Sequence, residues 1–277
     1  MTTWLITGVA GGLGAALANA TLTRGDAVAG TVRKAEDKAR FEALAPGRAI
    51  GFVLDITDVK AVHEAAAAAE TATGGIDVLV NNAGYGLVGA VEEASLAEVR
   101  AQFEVNVFGA LGAIQAVLPF MRARRAGHII NITSVSGLAG WAGTGVYCAS
   151  KFALEGLGET LAQEVAELGI KVTNIEPGGM RTDYAGRSLT VVKHKIADYD
   201  GLARDAERIL ADHAGHESGD PAKVAAAILK VADSDSPPLH LLLGADAMHY
   251  ATRKLSQFQA EMGQWAPLTM STRFDEA

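Results

Sequence analysis

The sequence is short of every feature that would tie it to a membrane, a nucleic acid or an oxidising compartment. It has one cysteine, Cys148, among 277 residues. An intramolecular disulfide is therefore excluded, and a reducing cytoplasm is the expected location. No apolar run approaches the ~18 residues of a membrane-spanning helix, and the start MTTWLITG lacks the basic and longer apolar stretches of a secretory signal. Cations are in the minority, 24 Lys and Arg against 32 Asp and Glu, for a net charge of −8. That removes the basic face a nucleic-acid surface needs, while leaving room for a local anion site. The seven histidines offer no metal set, since His213-x-x-His216 has no third ligand placed beside it. Repeats, low-complexity tracts and linkers are missing too, so the expectation is one domain over 1–277.

What the chain has in quantity is apolar residues, 49% of the total, enough for a core that buries about 75% of the unfolded surface. They form short buried runs that alternate with helical stretches. The runs are WLIT at 4–7, AVAGTV at 27–32, AIGFVL at 49–54, IDVLV at 76–80, HIINIT at 128–133, KVTNIE at 171–176 and LHLLL at 239–243. Such alternation implies βαβ units and a doubly wound α/β Rossmann fold, a seven-stranded, mostly parallel sheet with helices on both faces. Asp58 and the box Ser95-Leu-Ala-Glu98 mark helix starts. A polar, Gly-punctuated insertion at about 183–220 falls where α/β folds bind ligands, beyond the carboxyl ends of the strands, and is read as a substrate lid. The extension at about 255–277 loses its period after about 262, around Trp265, Pro267 and Met270. It is expected to cover the pocket or to form a subunit contact.

Three local patterns carry chemistry. Thr7-Gly8-Val-Ala-Gly11-Gly12-Leu13-Gly14 lies between the first strand and the first helix, where backbone amides meet a dinucleotide pyrophosphate and a Cβ would obstruct it. The glycines fit two spacings, TGxxxGxG through Gly12 and TGxxGxxG through Gly11. The second strand ends Thr31-Val32-Arg33-Lys34 with no carboxylate before Glu36. An acid there would hold the ribose of NAD; Arg33 and Lys34 instead suit the 2′-phosphate of NADP. Tyr147-Cys-Ala-Ser-Lys151 puts Tyr and Lys on one helix face, but so does Tyr250-Ala-Thr-Arg-Lys254. Context separates them: Ser134 closes a strand thirteen residues before Tyr147, whereas Pro237 stands thirteen before Tyr250.

Together these motifs resemble the short-chain dehydrogenase/reductase family, over about residues 3–250. Both glycine spacings occur in it, one in short single-domain oxidoreductases and the other in longer sugar-nucleotide epimerases and dehydratases. Asn81-Asn82-Ala83-Gly84 after the fourth strand, and the chain length, fit the short branch. The resemblance implies a catalytic set of Asn106 (in FEVNVFG), Ser134, Tyr147 and Lys151. Tyr147 is the expected acid/base, Ser134 holds the substrate oxygen, Lys151 bonds the nicotinamide ribose, and Asn106 holds a water linking Lys151 to solvent. One cation ~4 Å from a phenol at an effective dielectric of ~20 is worth roughly 4 kcal/mol, or about three pKa units. That is what a phenol of ordinary pKa near ~10 needs to work near neutrality.

Further cofactor contacts are expected at Leu13, Gly14, Ile56, Asn82, Ala83, Gly84, Pro177, Gly178, Met180 and Thr182, with Asp55 on the adenine. Tyr85, Val135, Trp141 and Tyr184 are the expected substrate pocket, apolar and without an Arg clamp. The segment SDSPPLHLLLGADA at 234–247 resembles the hydroxysteroid-dehydrogenase-like branch. The expected function is an NADP(H)-dependent carbonyl reductase or secondary alcohol dehydrogenase for hydrophobic or bulky substrates, working as a homodimer or homotetramer. A sugar-nucleotide epimerase/dehydratase and an NADP-binding redox regulator stand as alternatives.

Overall fold

The structure, a computed structural model, describes residues 1–182 and 188–274. In chain order its elements are β1 (Thr3–Ile6), α1 (Gly12–Thr23), β2 (Ala27–Val32), α2 (Ala35–Glu42), β3 (Ala49–Val53), α3 (Val59–Thr73), β4 (Val78–Asn81), β5 (Gly86–Val88), α4 (Leu96–Phe103), α5 (Ala110–Arg124), β6 (Gly127–Ile132), α6 (Gly145–Val165), β7 (Ile170–Pro177), β8 (Leu189–Val191), α7 (Leu202–Asp212), α8 (Pro221–Ala232), β9 (His240–Leu243) and α9 (Ala245–Met270). The main sheet has seven strands in the order β3-β2-β1-β4-β6-β7-β9. Every pairing in it is parallel, so the sheet is wholly rather than mostly parallel.

The period-2 alternation of a strand decides which layer each residue feeds. In β1, Trp4 and Ile6 face the layer of α1 and α8, packing with Leu17, Val224 and Ile228. Leu5 faces the other way, into the layer of α3, α5 and α6, with Val62, Val117 and Leu161. Both faces of β1 are therefore dry, which is why its sequence reads as a continuous apolar run. Asp58 caps α3 by accepting from the Ala61 amide at 3.0 Å, and Ser95 with Glu98 caps α4 reciprocally.

Three features depart from the sequence reading. A second sheet pairs β5 with β8 in parallel, Leu87 opposite Thr190. The continuous helix Leu96–Arg124 is long and apolar enough by composition to cross a membrane, although half of its most apolar window is buried inside the protein, as in a core helix. Finally, the region after 262 is not aperiodic loop: α9 runs on to Met270, with Pro267 in its last turns. It does not cover the cleft either, since every residue from Thr252 to Phe274 is exposed and only Asp246 and Tyr250 of this helix reach the cleft wall.

Candidate active site

The strand order reverses between β1 and β4, and the loops leaving their carboxyl ends part there to open a crevice. A cleft of about 1540 Å³ fills it. That exceeds the roughly 300–1,000 Å³ of a single small-molecule pocket and gives room for a dinucleotide and a substrate together.

At the β1 end, Gly8 (φ +78°) and Gly12 (φ +56°) adopt left-handed backbone. A Cβ on Gly14 would lie 2.3 Å from the Gly8 carbonyl oxygen and 2.4 Å from Asn82 Nδ2. Gly11, with φ −174°, is extended as any residue can be. The positions that demand glycine are thus 8, 12 and 14, and the ambiguity resolves to TGxxxGxG. No side chain caps the N-terminus of α1, so its first amides face the cleft as an anion site. The turn is braced from β4: Asn82 Nδ2 donates to the Thr7 and Gly8 carbonyls at 2.8 and 3.1 Å, and the Asn82 and Ala83 amides both donate to Thr7 Oγ1 at 2.9 Å.

Arg33 and Lys34 are exposed on the cleft rim, where Lys34 Nζ stands 3.5 Å from Glu36. Across the rim, Asp55 Oδ1 accepts from the amide and hydroxyl of Thr57 at 2.9 and 2.8 Å. Those bonds, with the Arg33 charge as a smaller contribution, hold its carboxyl below the usual range. Asp55 therefore orders its own turn, and Asp58 caps the helix.

The end of the cleft that holds Tyr147 and Lys151 is built on α6. Tyr147 and Lys151 lie one turn apart, with Lys151 Nζ 5.8 Å from the centre of the Tyr147 ring. Lys151 is 6% exposed, and its ammonium donates to the Ile132 carbonyl at 2.9 Å. Burial pulls its pKa down to about 8, and the negative charge of Glu155 opposes that. Ser134 follows β6 and caps the short 3₁₀ turn Val135–Gly137. Its Oγ accepts from the Ser136 amide at 3.0 Å and donates to the Pro177 carbonyl at 3.5 Å. The second bond is at the limit of hydrogen-bond length, so a substrate oxygen can replace it at little cost.

Asn106 sits in a π-helical turn, Glu104–Gly109, between α4 and α5, a local widening often found at functional sites. It is 1% exposed and does not line the cleft. Its Oδ1 accepts from the Tyr85 amide at 3.0 Å, and its Nδ2 donates to the Tyr85 carbonyl and Ser150 Oγ at 2.9 and 3.1 Å. The side chain thus clamps the segment after Asn81-Asn82-Ala83-Gly84 to α6.

Of the residues read from the sequence, Gly14 and Asn106 stand behind the cleft wall, Tyr184 lies outside the described residues, and all the others line the cleft. Trp141 Nε1, among them, donates to Ser136 Oγ at 3.1 Å. Tyr250, which the sequence context sets apart from the Tyr147 motif, is also at the cleft. Its ring meets Trp141 edge to face at 4.3 Å in the cleft wall. Asp246 was missed as well; it accepts from the Gly179 amide at 2.7 Å and fixes the loop after β7. Neither carries a local signal, because both are placed by α9 folding back onto the body.

A cradle that side chains would fill, an uncapped helix N-terminus and a cationic rim fit a nicotinamide dinucleotide, and the buried Lys beneath a Tyr fits proton transfer beside it. Residues 2–190 match the family described as short chain dehydrogenase, and the chain belongs to it: this is an oxidoreductase of the short-chain dehydrogenase/reductase family. It is 38% identical to oxidoreductase BOA17 of Botryotinia fuckeliana, over 97% of this chain and 98% of that protein. It is 35% identical to 3-ketodihydrosphingosine reductase of Bacteroides thetaiotaomicron, over 95% of each. The crystal structure of a short-chain dehydrogenase from Streptomyces avermitilis superposes with a TM-score of 0.92 at 39% identity, over 99% of this chain and 100% of that one.

Proposed function

We propose that the protein is an NADP(H)-dependent carbonyl reductase or secondary alcohol dehydrogenase acting on hydrophobic, bulky ketones and alcohols. The observation that carries this reading is the buried Lys151 ammonium one helical turn below Tyr147, with Ser134 in the same cleft. A bound nicotinamide supplies the hydride in reduction and accepts it in oxidation. The proton is the work of the chain. Tyr147 donates its hydroxyl proton to the substrate oxygen in reduction and takes it back in oxidation. Lys151, whose charge is little screened where it lies, favours the phenolate that this leaves behind. Ser134 Oγ turns from Pro177 to the substrate oxygen and holds it beside the Tyr147 hydroxyl. Asn106 acts as a positioning residue through Tyr85 and Ser150.

Preference for NADP over NAD rests on Arg33 and Lys34, the cations at the end of β2 where NAD enzymes place an acid. Substrate class rests on the walls: Leu87, Val135, Trp141, Ile209 and Tyr250 are apolar or aromatic, and one relative is named 3-ketodihydrosphingosine reductase. The reading includes a cytoplasmic homo-oligomer. An epimerase/dehydratase is disfavoured by the glycine spacing, and a redox regulator by the presence of both Tyr147 and Lys151.

The test is kcat/KM for a panel of aryl, cyclic and long-chain ketones with each cofactor. We expect NADPH to be preferred by about 100-fold, the worth of two charge-assisted contacts, and Arg33→Asp to lose most of that preference. A preference for NADH, or NADPH binding without turnover of any ketone, overturns the reading.

A further inference from the structure

Beyond Ala251 the C-terminal helix stands off the body, with every described residue exposed, yet its sequence is that of a packed helix. Met248, Leu255 and Met262 recur at intervals of seven, as do Ala251, Phe258 and Trp265, and the two series interleave at spacings of three and four. Exposure runs from 53 to 65% for Met248, Leu255, Phe258, Met262 and Trp265. The positions between are polar or small: Thr252, Arg253, Ser256, Gln257, Gln259, Gly263. A single apolar seam on an otherwise polar helix is the pattern of a coiled-coil surface. At its root, a groove of about 520 Å³ between α6 and α9 is lined by Leu138, Phe152, Gly156, Ala251, Leu255 and Phe258.

We infer that this helix is a dimerisation element that pairs antiparallel with the same helix of a second copy of the chain, the two-fold axis passing between Ser256 and Gln257. The register follows from the seam. Leu255 meets the partner's Phe258 and Met248 meets the partner's Trp265, each twice by symmetry. The same register sets Lys254 against the partner's Glu261, again twice, and Thr252 against the partner's Gln259, so no like charges meet. The partner's Met262 lies over the groove, whose floor is the buried Ala251, and covers Phe152, 44% exposed on α6. Phe258 and Trp265 keep more than half of their surface exposed, so pairing the two seams buries aromatic area that a lone helix leaves in water.

The other occupants fit less well. A membrane-surface helix carries its cations along the polar face; here Arg253 and Lys254 sit together, are followed by Glu261, and belong to a chain of net charge −8. The helix cannot close its own cleft, because it reaches that cleft only through Asp246 and Tyr250.

Sedimentation velocity on the full chain at about 10 µM, a concentration that resolves micromolar association, tests the proposal. The wild type is expected to be dimeric. Phe258→Glu is expected to weaken dimerisation more than about 100-fold, because it places two carboxylates in the seam. Lys254→Glu weakens it about tenfold by turning two attractions into repulsions, and Lys254→Glu combined with Glu261→Lys restores it to within about threefold. Circular dichroism and per-chain ketone turnover report fold and active site separately, and neither is expected to change. A monomeric wild type, a dimer indifferent to Phe258→Glu, a charge reversal without rescue, or flotation of a monomeric wild type with phosphatidylcholine/phosphatidylglycerol vesicles overturns the inference.

Discussion

The chain contains the same five-residue spacing twice, and the two copies have become different things. Tyr147 and Lys151 sit on a helix packed under the sheet; Tyr250 and Lys254 sit where a helix leaves the body. Lys151 is buried, bonded to the Ile132 carbonyl, and held at a pKa of about 8 by the loss of solvent. Lys254 is exposed, with its Nζ 5.8 Å from the Phe258 ring. Tyr147 shares its cleft with Ser134; Tyr250 packs its ring against Trp141. Spacing on a helix only brings two side chains together. Withdrawal of water gives a cation its leverage on a neighbouring phenol, and around Lys151 it is the carboxyl end of β6 and the π-helical turn that withdraw it.

The comparison can be broken at several points. The largest effect is expected at the lysines. Lys151→Met is predicted to lower kcat for ketone reduction by about 10²–10⁴-fold, the range of a lost acid–base device, while Lys254→Met stays within about twofold. The same substitution is expected to leave Tm unchanged or higher, since a buried ammonium is removed; a lower Tm would show that Lys151 holds the fold together.

Next comes the clamp that only the first pair possesses. Asn106→Ala leaves the Tyr85 amide without its acceptor and removes one of the bonds to the Tyr85 carbonyl and to Ser150 Oγ, which keep Gln102 and the Tyr147 carbonyl, at a cost of about 1–3 kcal/mol. It is predicted to lower kcat about tenfold or more through displacement of Lys151 and its surroundings. Unchanged kcat with reduced stability would reduce Asn106 to a purely structural role.

A smaller effect is expected with pH. The native Lys151 loses its proton as pH rises through about 8, well below the ordinary lysine value of 10.5. A charge needed by Tyr147 is then lost, so kcat/KM for reduction falls above about pH 8. Between about 8 and 10.5 the unfolded chain binds the proton more tightly than the native one, so the contribution of Lys151 to stability rises over that window. A rate profile flat from pH 7 to 9.5 separates Lys151 from the chemistry. Smallest of all is Tyr250→Phe, which keeps the ring contact with Trp141 and should move KM less than about threefold; a fall in kcat like that of Lys151→Met would erase the distinction.

How much of this was legible in the sequence depended on how local each feature is. The inner strands of the main sheet are buried on both faces and announce themselves as apolar runs, and Asp58 and Ser95 signal helix starts within four residues. The glycine turn was visible, but its spacing was not, because only the backbone, left-handed at Gly12 and extended at Gly11, tells the two apart. The β5–β8 sheet stayed hidden: two three-residue strands about a hundred residues apart have no periodicity to display. Tyr250 and Asp246 reach the cleft only through the docking of α9. The outer half of that helix was obscured by Gly263 and Pro267, two residues that usually end a helix, although the seven-residue interval from Met248 to Met262 runs straight up to them.

The central claim is that Tyr147, and not the similarly spaced Tyr250, is the acid/base of a working oxidoreductase. It is tested most directly by Tyr147→Phe, assayed for NADPH binding by fluorescence and for single-turnover ketone reduction beside Tyr250→Phe. The expected result is NADPH binding within about threefold of wild type and a rate of reduction lower by about 10³-fold or more in Tyr147→Phe alone, the scale of a lost general acid. Reduction by Tyr147→Phe at the wild-type rate, or an equal loss in Tyr250→Phe, contradicts it.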